Sequence, residues 1–177
     1  MKIIVINGQP RAGKDQFVTF CQKHCHWCFN ISTVDFVKEV AATCGWDGTK
    51  TPKNREFLSN LKDLLTEWGD VPYKKVEREI QLAAARMKNY HFDPDTDGVV
   101  FIHCREPEEI ARFVENMGAH SLLMRRPTEE SNEQSNHADS KVFDFEYDYT
   151  ITNDGSLFDL EVKAVHFLRN IGIKHLQ

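Results

Sequence analysis

The sequence has no apolar run that approaches the ~20 residues needed by a membrane-spanning helix. Its N-terminal apolar stretch, from Ile3 to Ile6, is too short for the core of a secretion signal. Positive charge is not in excess, since 22 Lys and Arg residues stand against 27 Asp and Glu residues and give a net charge of −5. We therefore expect no membrane and no nucleic acid as partner, although a local basic cleft for a small phosphorylated molecule remains compatible with this charge.

The number of cysteines is odd, with five in 177 residues. An odd count fits free thiols in a reducing compartment better than a disulfide framework, so we expect a cytoplasmic protein. The length corresponds to about one domain of ~150 residues. We therefore predict that residues 1–177 form a single domain.

Short β-branched apolar runs alternate with amphipathic helical patterns along the chain. This alternation predicts an α/β fold, a three-layer αβα sandwich with a parallel five-stranded sheet. The polar, acidic stretch at residues 127–148 predicts a lid-like excursion. The predicted strands are Ile3–Asn7, Trp27–Ser32, Val99–Cys104, Ser121–Met124 and Tyr149–Thr152. The predicted helices are Lys14–His24, Thr33–Thr43, Thr51–Gly69, Pro72–Asn89, Pro107–Met117 and Ser156–Ile171.

A glycine-rich loop joins the first predicted strand to the first predicted helix. It matches the pattern G-x-x-x-x-G-K, in which backbone N–H groups, the helix N-terminus and a lysine ammonium surround phosphate groups. A glycine turn without a ligand is the disfavoured alternative. The residues predicted to bind the ATP phosphates are Gly8, Gln9, Pro10, Arg11, Ala12, Gly13, Lys14 and Asp15, although Arg11 is equally compatible with plain solvent exposure.

Asp15 stands where this pattern usually has Ser or Thr, whose hydroxyl binds Mg²⁺. A carboxylate is also a hard oxygen ligand, so we expect Asp15 to hold the metal directly or through water. The alternative is an acidic residue that merely favours the first turn of a helix.

A loop that ends in Gly-Lys-Asp resembles that of bacteriophage deoxynucleotide monophosphate kinases and, more distantly, of animal phosphomevalonate kinase. The resemblance extends to the C-terminus, and nearly the whole chain is covered, with a shorter middle. It implies a P-loop NTPase fold of the nucleotide-kinase type and phosphoryl transfer from ATP, with Mg²⁺, to a (deoxy)nucleoside monophosphate. It also suggests a phage or prophage origin. The matching segments are Arg55-Glu56-Phe57-Leu58, His103-Cys104-Arg105, Leu122–Pro127, Ser131-Asn132, His137 and Ile151–Leu157.

Three features depart from the family pattern. The Gly-Pro pair ahead of Lys38 is replaced by Asp35-Phe36, and the aspartate before Arg105 is replaced by His103. The middle of the chain is also shorter. Another phosphorylated metabolite, such as phosphomevalonate, is therefore an alternative acceptor. A catalytically degenerate nucleotide-binding protein or a switch NTPase is an alternative to a kinase, although no guanine-recognition motif of the N-K-x-D type is evident.

Arginines at strand ends suit phosphate clamping, because a guanidinium binds phosphate through two parallel hydrogen bonds. We assign Arg105, Arg125 and Arg126 to acceptor phosphate and transition-state charge; for Arg105 the alternative is a surface pair with Glu106 or Glu109. Asp35 is predicted to orient the acceptor hydroxyl or the metal, unless it only caps its helix.

The resemblance adds Lys38 and Arg55 as acceptor-binding residues. It places the adenine at Asn153 and Gly155, where a turn without a ligand is equally compatible. His137 is marked only by the resemblance. A homodimer is a further possibility that the sequence leaves open.

The spacing Cys21-x-x-x-Cys25-x-x-Cys28 resembles the iron–sulfur motif of radical S-adenosylmethionine enzymes. The position of Cys21 and Cys25 at the end of the first predicted helix, and the short chain, disfavour that interpretation. His24 and His26 would also permit a zinc site, but no second pair of ligands accompanies them. Buried or free thiols are therefore the preferred interpretation.

Overall fold

The computed structural model describes residues 1–127, 142–174 and 176. In these residues the strands are β1 (Lys2–Gly8), β2 (Trp27–Ser32), β3 (Gly98–His103), β4 (His120–Arg125) and β5 (Tyr149–Thr152). The helices are α1 (Lys14–His24), α2 (Asp35–Thr43), α3 (Pro52–Gly69), α4 (Val71–Asn89), α5 (Pro94–Asp97), α6 (Pro107–Met117) and α7 (Leu157–Asn170).

The five strands form one parallel sheet in the order β2-β3-β1-β4-β5. Because the strands are parallel, their carboxyl ends meet at one edge, where α/β sheets bind ligands. Gly8, His103, Arg125 and Thr152 end β1, β3, β4 and β5 at this edge. The predicted α/β fold with a five-stranded parallel sheet is confirmed.

Helices cover both faces of the sheet, since successive side chains of a strand point to opposite sides. On one face, Ile4 and Ile6 of β1 pack in a cluster with Phe17 of α1 and Leu160 of α7. On the other face, Val5 packs in a cluster that contains residues of α4 and α6, among them Val76, Ile80, Ile110 and Phe113. Each fully buried aliphatic or phenyl side chain contributes about 1.5–3 kcal/mol, so these two clusters hold the three layers together.

The element boundaries agree with the sequence patterns to within one residue at each end, with two exceptions. Helix α2 begins at Asp35 rather than at the predicted Thr33, because Thr33 is buried and the Ser32 backbone N–H donates to the Asp35 carboxylate. The short helix α5 lies in a segment predicted to be a loop. Its N-cap is Asp93, whose side chain accepts from the Asp95 N–H, and Pro94 occupies its first turn.

Helix α3 contains no buried residue, although its apolar residues recur at helical spacing. Phe57, Leu64 and Trp68 are exposed, and 79% of Trp68 is open to solvent. The helix packs against α2 and α4. An ion pair of 2.8 Å between Lys62 and Glu109 attaches it to α6.

Most of the predicted excursion at 127–148 lies outside the described residues. Its described end contains neither helix nor strand; Val142 is buried and its carbonyl accepts a 2.8 Å hydrogen bond from the Tyr147 hydroxyl. Among the residues that the structure describes, no helix combines the length and apolar character of a membrane span.

Candidate active site

The phosphate-binding loop runs from the end of β1 to the start of α1. Gly13 has φ 94°, and a Cβ there would lie 2.5 Å from Nδ2 of Asn153, so both conformation and space require glycine. A Cβ on Gly8 would collide with the Met124 carbonyl of β4. The Lys14 ammonium donates to the carbonyls of Gly8 and Gln9, the latter at 3.0 Å. The loop therefore curls around a fixed cation at a helix N-terminus.

Asn7 connects this loop to two other parts of the chain. The residue is fully buried, and its Oδ1 accepts from the Gly8 N–H at 2.8 Å. Its Nδ2 donates to the Tyr147 hydroxyl at 2.7 Å and to the Arg105 carbonyl at 3.3 Å. Burial raises the pKa of Tyr147 to about 12, so this hydroxyl stays protonated at neutral pH. Sequence reasoning missed Asn7 and Tyr147; a polar residue at the end of an apolar strand was the available signal for Asn7.

Asn153 connects the turn after β5 to the same loop. Its Nδ2 donates to the Ala12 carbonyl at 3.1 Å, and its backbone N–H donates to the Arg125 carbonyl at 2.6 Å. Gly155 is exposed, and a Cβ on it would crowd the carboxylate of Asp159. Asp159 forms a capping box with Ser156 at the start of α7. The local structure thus explains Gly155 without a ligand, whereas Asn153 contacts the phosphate-binding loop directly.

His103, at the end of β3, lies among the charged residues of the loop and of α2. Its Nδ1 is 3.8 Å from a carboxylate oxygen of Asp15. Lys14, Asp35 and Lys38 also act on it electrostatically. Burial lowers the pKa of His103, and the nearby carboxylate of Asp15 opposes this only in part. The imidazole is therefore neutral at pH 7.

Asp35 and Lys38 lie at the start of α2, next to this histidine. The Asp35 carboxylate accepts from the Ser32 N–H at 2.8 Å and pairs with the Lys38 ammonium at 3.1 Å. Both side chains are about half exposed, at 51% and 44%. The Asp35 carboxylate therefore links the end of β2 to the start of α2, and it acts electrostatically on His103 at the edge of the sheet where the loop lies.

Arg125, at the end of β4, lies over the ring of Phe143, with the guanidinium carbon 5.7 Å from the ring centre. Next to this pair is a cavity of 290 Å³ that reaches Gln9 of the phosphate-binding loop. The structure therefore brings Arg125 and Arg126 to the loop. The cavity is lined by Gln9, Arg125, Arg126, Pro127, Phe143 and Thr152.

The other candidate residues are exposed. Arg105 directly follows β3, and its carbonyl holds Asn7. Arg11 has φ 63° within the loop. Arg55 is exposed near the start of α3, and this helix packs against α2 and α4. The binding of the acceptor by Arg55 stays a prediction. His137 lies outside the described residues.

No protein-family model and no curated protein matches this chain. Dephospho-CoA kinase from Campylobacter jejuni is 14% identical, with a TM-score of 0.51 over 96% of this chain and 97% of that one. The fold is that of a P-loop kinase. Two further structures are less similar. The APS kinase of Mycobacterium tuberculosis is 12% identical, with a TM-score of 0.42 over 95% of this chain and 96% of that one. A sugar kinase from Janibacter sp. is 13% identical, with a TM-score of 0.45 over 96% of this chain and 95% of that one.

The phosphate-binding loop offers one protein ligand that suits Mg²⁺, the carboxylate of Asp15. The Asp15 side chain is 94% exposed in the first turn of α1, so its carboxylate is free to reach an ion beside the phosphates. Hard oxygen ligands of this kind are the ones that Mg²⁺ prefers, and water and substrate phosphates would supply its remaining ligands. The described residues contain no group of three or more protein ligands.

The three clustered cysteines belong to the core behind the loop. Cys21 and Cys25 are buried and Cys28 is half-buried, and all five cysteines of the chain are free. Burial raises the pKa of Cys21 and of Cys28, so both thiols stay protonated. In the part of the chain that the structure describes, no three His, Cys, Asp or Glu side chains come together in the way that a metal site requires. The structure thus favours the interpretation as core thiols over an iron–sulfur or zinc site.

Proposed function

We propose that this chain is an ATP-dependent kinase that phosphorylates a (deoxy)nucleoside monophosphate. The observation that carries the proposal is the Lys14 ammonium, bound to the Gly8 and Gln9 carbonyls inside a loop that opens a helix. Phosphoryl transfer needs positioned positive charge more than covalent chemistry, and such a loop supplies it to the β- and γ-phosphates. The fold, shared with P-loop kinases, supports the same assignment.

The donor side of the site is the cavity beside Gln9. The guanidinium of Arg125 and the ring of Phe143 offer flat faces to a purine base and its ribose. The hydrogen bond from Asn153 to the Ala12 carbonyl holds the phosphate-binding loop against the turn after β5. ATP would therefore lie with its triphosphate along residues 8–15 and its base toward the end of the sheet formed by β4 and β5.

The acceptor side lies toward β3 and α2. Lys38 and Asp35 stand at the start of α2, and Arg105 follows β3. All three lie at the edge that carries His103, Asp15 and Lys14. A monophosphate dianion fits this mixture, because Arg105 and Lys38 neutralise its charge. Arg55 is a more distant contributor.

The reaction transfers the γ-phosphoryl group of ATP to a phosphate oxygen of the acceptor, and ADP leaves. Lys14 stabilises the charge that develops on the transferring group, while Arg126, which lines the cavity beside Gln9, supplies further positive charge. Asp15 would hold Mg²⁺, and a bound ion would supply further positive charge to the phosphates of ATP. The five free cysteines fit a reducing cytoplasm as the place of action.

The experiment is an acceptor panel with Mg²⁺-ATP: four deoxynucleoside monophosphates, four ribonucleoside monophosphates and phosphomevalonate. ADP release is followed continuously, and the product mass is measured. We expect ADP release that depends on at least one nucleotide acceptor, with a nucleoside diphosphate as product. Phosphomevalonate as the sole substrate would contradict the proposed nucleotide acceptor and leave the kinase assignment in place. ATP binding without acceptor-dependent ADP from any compound would overturn the kinase proposal in favour of a nucleotide-binding protein.

A further inference from the structure

His103 has two ring nitrogens in different surroundings. Nδ1 faces the Asp15 carboxylate at 3.8 Å. Nε2 is fully buried and has no hydrogen-bond partner among the described residues. The imidazole as a whole is 17% exposed, whereas the Asp15 side chain is 94% exposed. A largely buried ring at the end of β3 thus faces a carboxylate that is free to move.

The unpartnered nitrogen decides where the proton of the neutral ring lies. A neutral imidazole carries one N–H donor and one acceptor nitrogen. Buried N–H groups without a partner are rarer in proteins than under-satisfied acceptors, because the lost donor bond is expensive. In the neutral ring the proton therefore lies on Nδ1 and points toward Asp15, while Nε2 stays an acceptor. In this tautomer Nδ1 has no lone pair to offer a metal ion. A protonated ring donates from Nδ1 as well, so this donor does not depend on the titration of the ring.

We propose that His103 is a positioning residue that donates from Nδ1 to the Asp15 carboxylate and holds it beside the nucleotide phosphates. This rests on the proposed function, in which Asp15 binds the metal of the metal–ATP complex. Hydrogen bonds of this kind are often long before the ligands bind, and a shift of about 1 Å in an exposed side chain closes a gap of 3.8 Å.

The remaining groups around the ring are compatible with this role. Lys14 acts on the ring electrostatically, and Asp35 with Lys38 contributes a pair of opposite charges from α2. Lys14 is held by the loop carbonyls of Gly8 and Gln9, and Asp35 by the Ser32 N–H and Lys38. His103 differs from these groups, because it faces Asp15 from a largely buried position at the end of β3.

The test measures binding of Mn²⁺·ATP by electron paramagnetic resonance titration. The variants are His103→Leu, which removes the donor, and His103→Asn, whose amide N–H lies close to the position of Nδ1. Asp15→Asn and the double variant His103→Leu/Asp15→Asn complete the set. The matched control is His120→Leu, because His120 stands 4.0 Å from Asp148 at the opposite end of the sheet. Urea unfolding confirms that each variant is folded.

We expect His103→Leu to weaken Mn²⁺·ATP binding about tenfold, the size of a hydrogen bond to a charged group. His103→Asn should bind within about threefold of the wild type, and His120→Leu like the wild type. Asp15→Asn should weaken binding at least as much as His103→Leu, because it removes the carboxylate that binds the metal. The double variant should bind no more weakly than Asp15→Asn, because His103 acts only through Asp15.

Two results would overturn the positioning role while leaving the proposed function intact. One is a His103→Leu variant that binds Mn²⁺·ATP like the wild type. The other is a strong ¹⁴N coupling to Mn²⁺ in the wild type that disappears in His103→Leu, because the imidazole would then be a direct ligand. Failure of the wild type to bind Mn²⁺·ATP would instead overturn the proposed function, and this inference with it.

Discussion

Asn153, in the turn after the last strand, donates a hydrogen bond of 3.1 Å from Nδ2 to the Ala12 carbonyl in the phosphate-binding loop. The two residues are 141 positions apart in the chain. The bond fits into the space left by the missing side chain of Gly13. The first and last strands of the fold are thereby joined at the place where ATP is proposed to bind.

Removal of this bond should loosen the loop without unfolding the protein. For Asn153→Ala we expect ATP binding to weaken about three- to tenfold, because one hydrogen bond contributes about 0.5–1.5 kcal/mol. Isothermal titration calorimetry with ATP measures the change. Asn30→Ala, at an exposed position of β2, is the control and should bind ATP like the wild type. Equal affinity of Asn153→Ala and the wild type would contradict the link.

Gly13→Ala separates backbone strain from steric conflict. The alanine would adopt φ 94° and place its Cβ 2.5 Å from the Asn153 amide. Gly45→Ala has a similar φ of 90° but meets no atom within 4 Å, so it carries the strain alone. We expect Gly45→Ala to lower the free energy of unfolding by about 1 kcal/mol, and Gly13→Ala to lower it more and to weaken ATP binding. Urea unfolding measures the stability, and calorimetry measures the affinity for ATP. Equal effects of the two changes would show that the steric contact with Asn153 contributes nothing.

Lys62 and Glu109 form a mostly buried pair, 19% and 14% exposed, that attaches α3 to α6. The same carboxylate oxygen of Glu109 also accepts from the Cys104 thiol at 3.1 Å. Glu109→Ala would leave Lys62 without this partner, and we expect a loss of about 2–3 kcal/mol in the free energy of unfolding. Lys62→Met/Glu109→Met should recover most of it in urea unfolding. A double variant as unstable as Glu109→Ala would show that the charges are not the cause.

This pair also gives a pH dependence of known sign. Burial disfavours the charge of Lys62, but the carboxylate of Glu109 outweighs burial and raises the pKa of Lys62. A pKa that is higher in the folded state contributes stability below the pKa of the unfolded chain, about 10.4, and this stability disappears as pH rises through the folded value. We expect the unfolding free energy of Lys62→Met to fall less between pH 9 and 11 than that of the wild type. Parallel curves for the two proteins would contradict this contribution.

Arg125 and Phe143 are predicted to hold the base of the donor nucleotide. Arg125→Ala should raise the KM for ATP about fivefold or more, because a cation over an aromatic or heteroaromatic ring contributes ~1 kcal/mol. The KM of the acceptor should change less. Steady-state kinetics with each substrate varied in turn checks this split. Arg169→Ala, on the exposed end of α7, is the control. A rise confined to the KM of the acceptor would contradict this prediction and would show that Arg125 binds the acceptor instead.

Much of the fold follows from local sequence patterns, because its strands are short buried runs and its helices begin and end at recognisable residues. The observed bounds of α1 and β2 are the predicted ones. Helix α5 was missed, although Asp93-Pro94 has the same cap-then-proline arrangement as Thr51-Pro52 at the start of α3. A four-residue helix has too few apolar positions to show a period.

The contacts that shape the candidate site depend on residues far apart in the chain and are therefore invisible to local patterns. Tyr147 reaches Asn7 across 140 positions. In α3 a local pattern gives the wrong expectation. Apolar residues at a helical period normally indicate a buried face, yet Trp68 of this helix is 79% exposed. The possible homodimer stays a prediction. The loop itself was predictable because its glycines, lysine and flanking elements are contiguous in sequence.

The central claim is that Lys14 stabilises a phosphoryl group in transfer, and the direct test is transfer of ³²P from [γ-³²P]ATP to the preferred nucleoside monophosphate. We compare the wild type with Lys14→Ala and with Lys23→Ala, an exposed lysine at the far end of α1. The account predicts labelled nucleoside diphosphate from the wild type and Lys23→Ala, and a rate at least about 100-fold lower from Lys14→Ala. Equal transfer by Lys14→Ala and the wild type would contradict it.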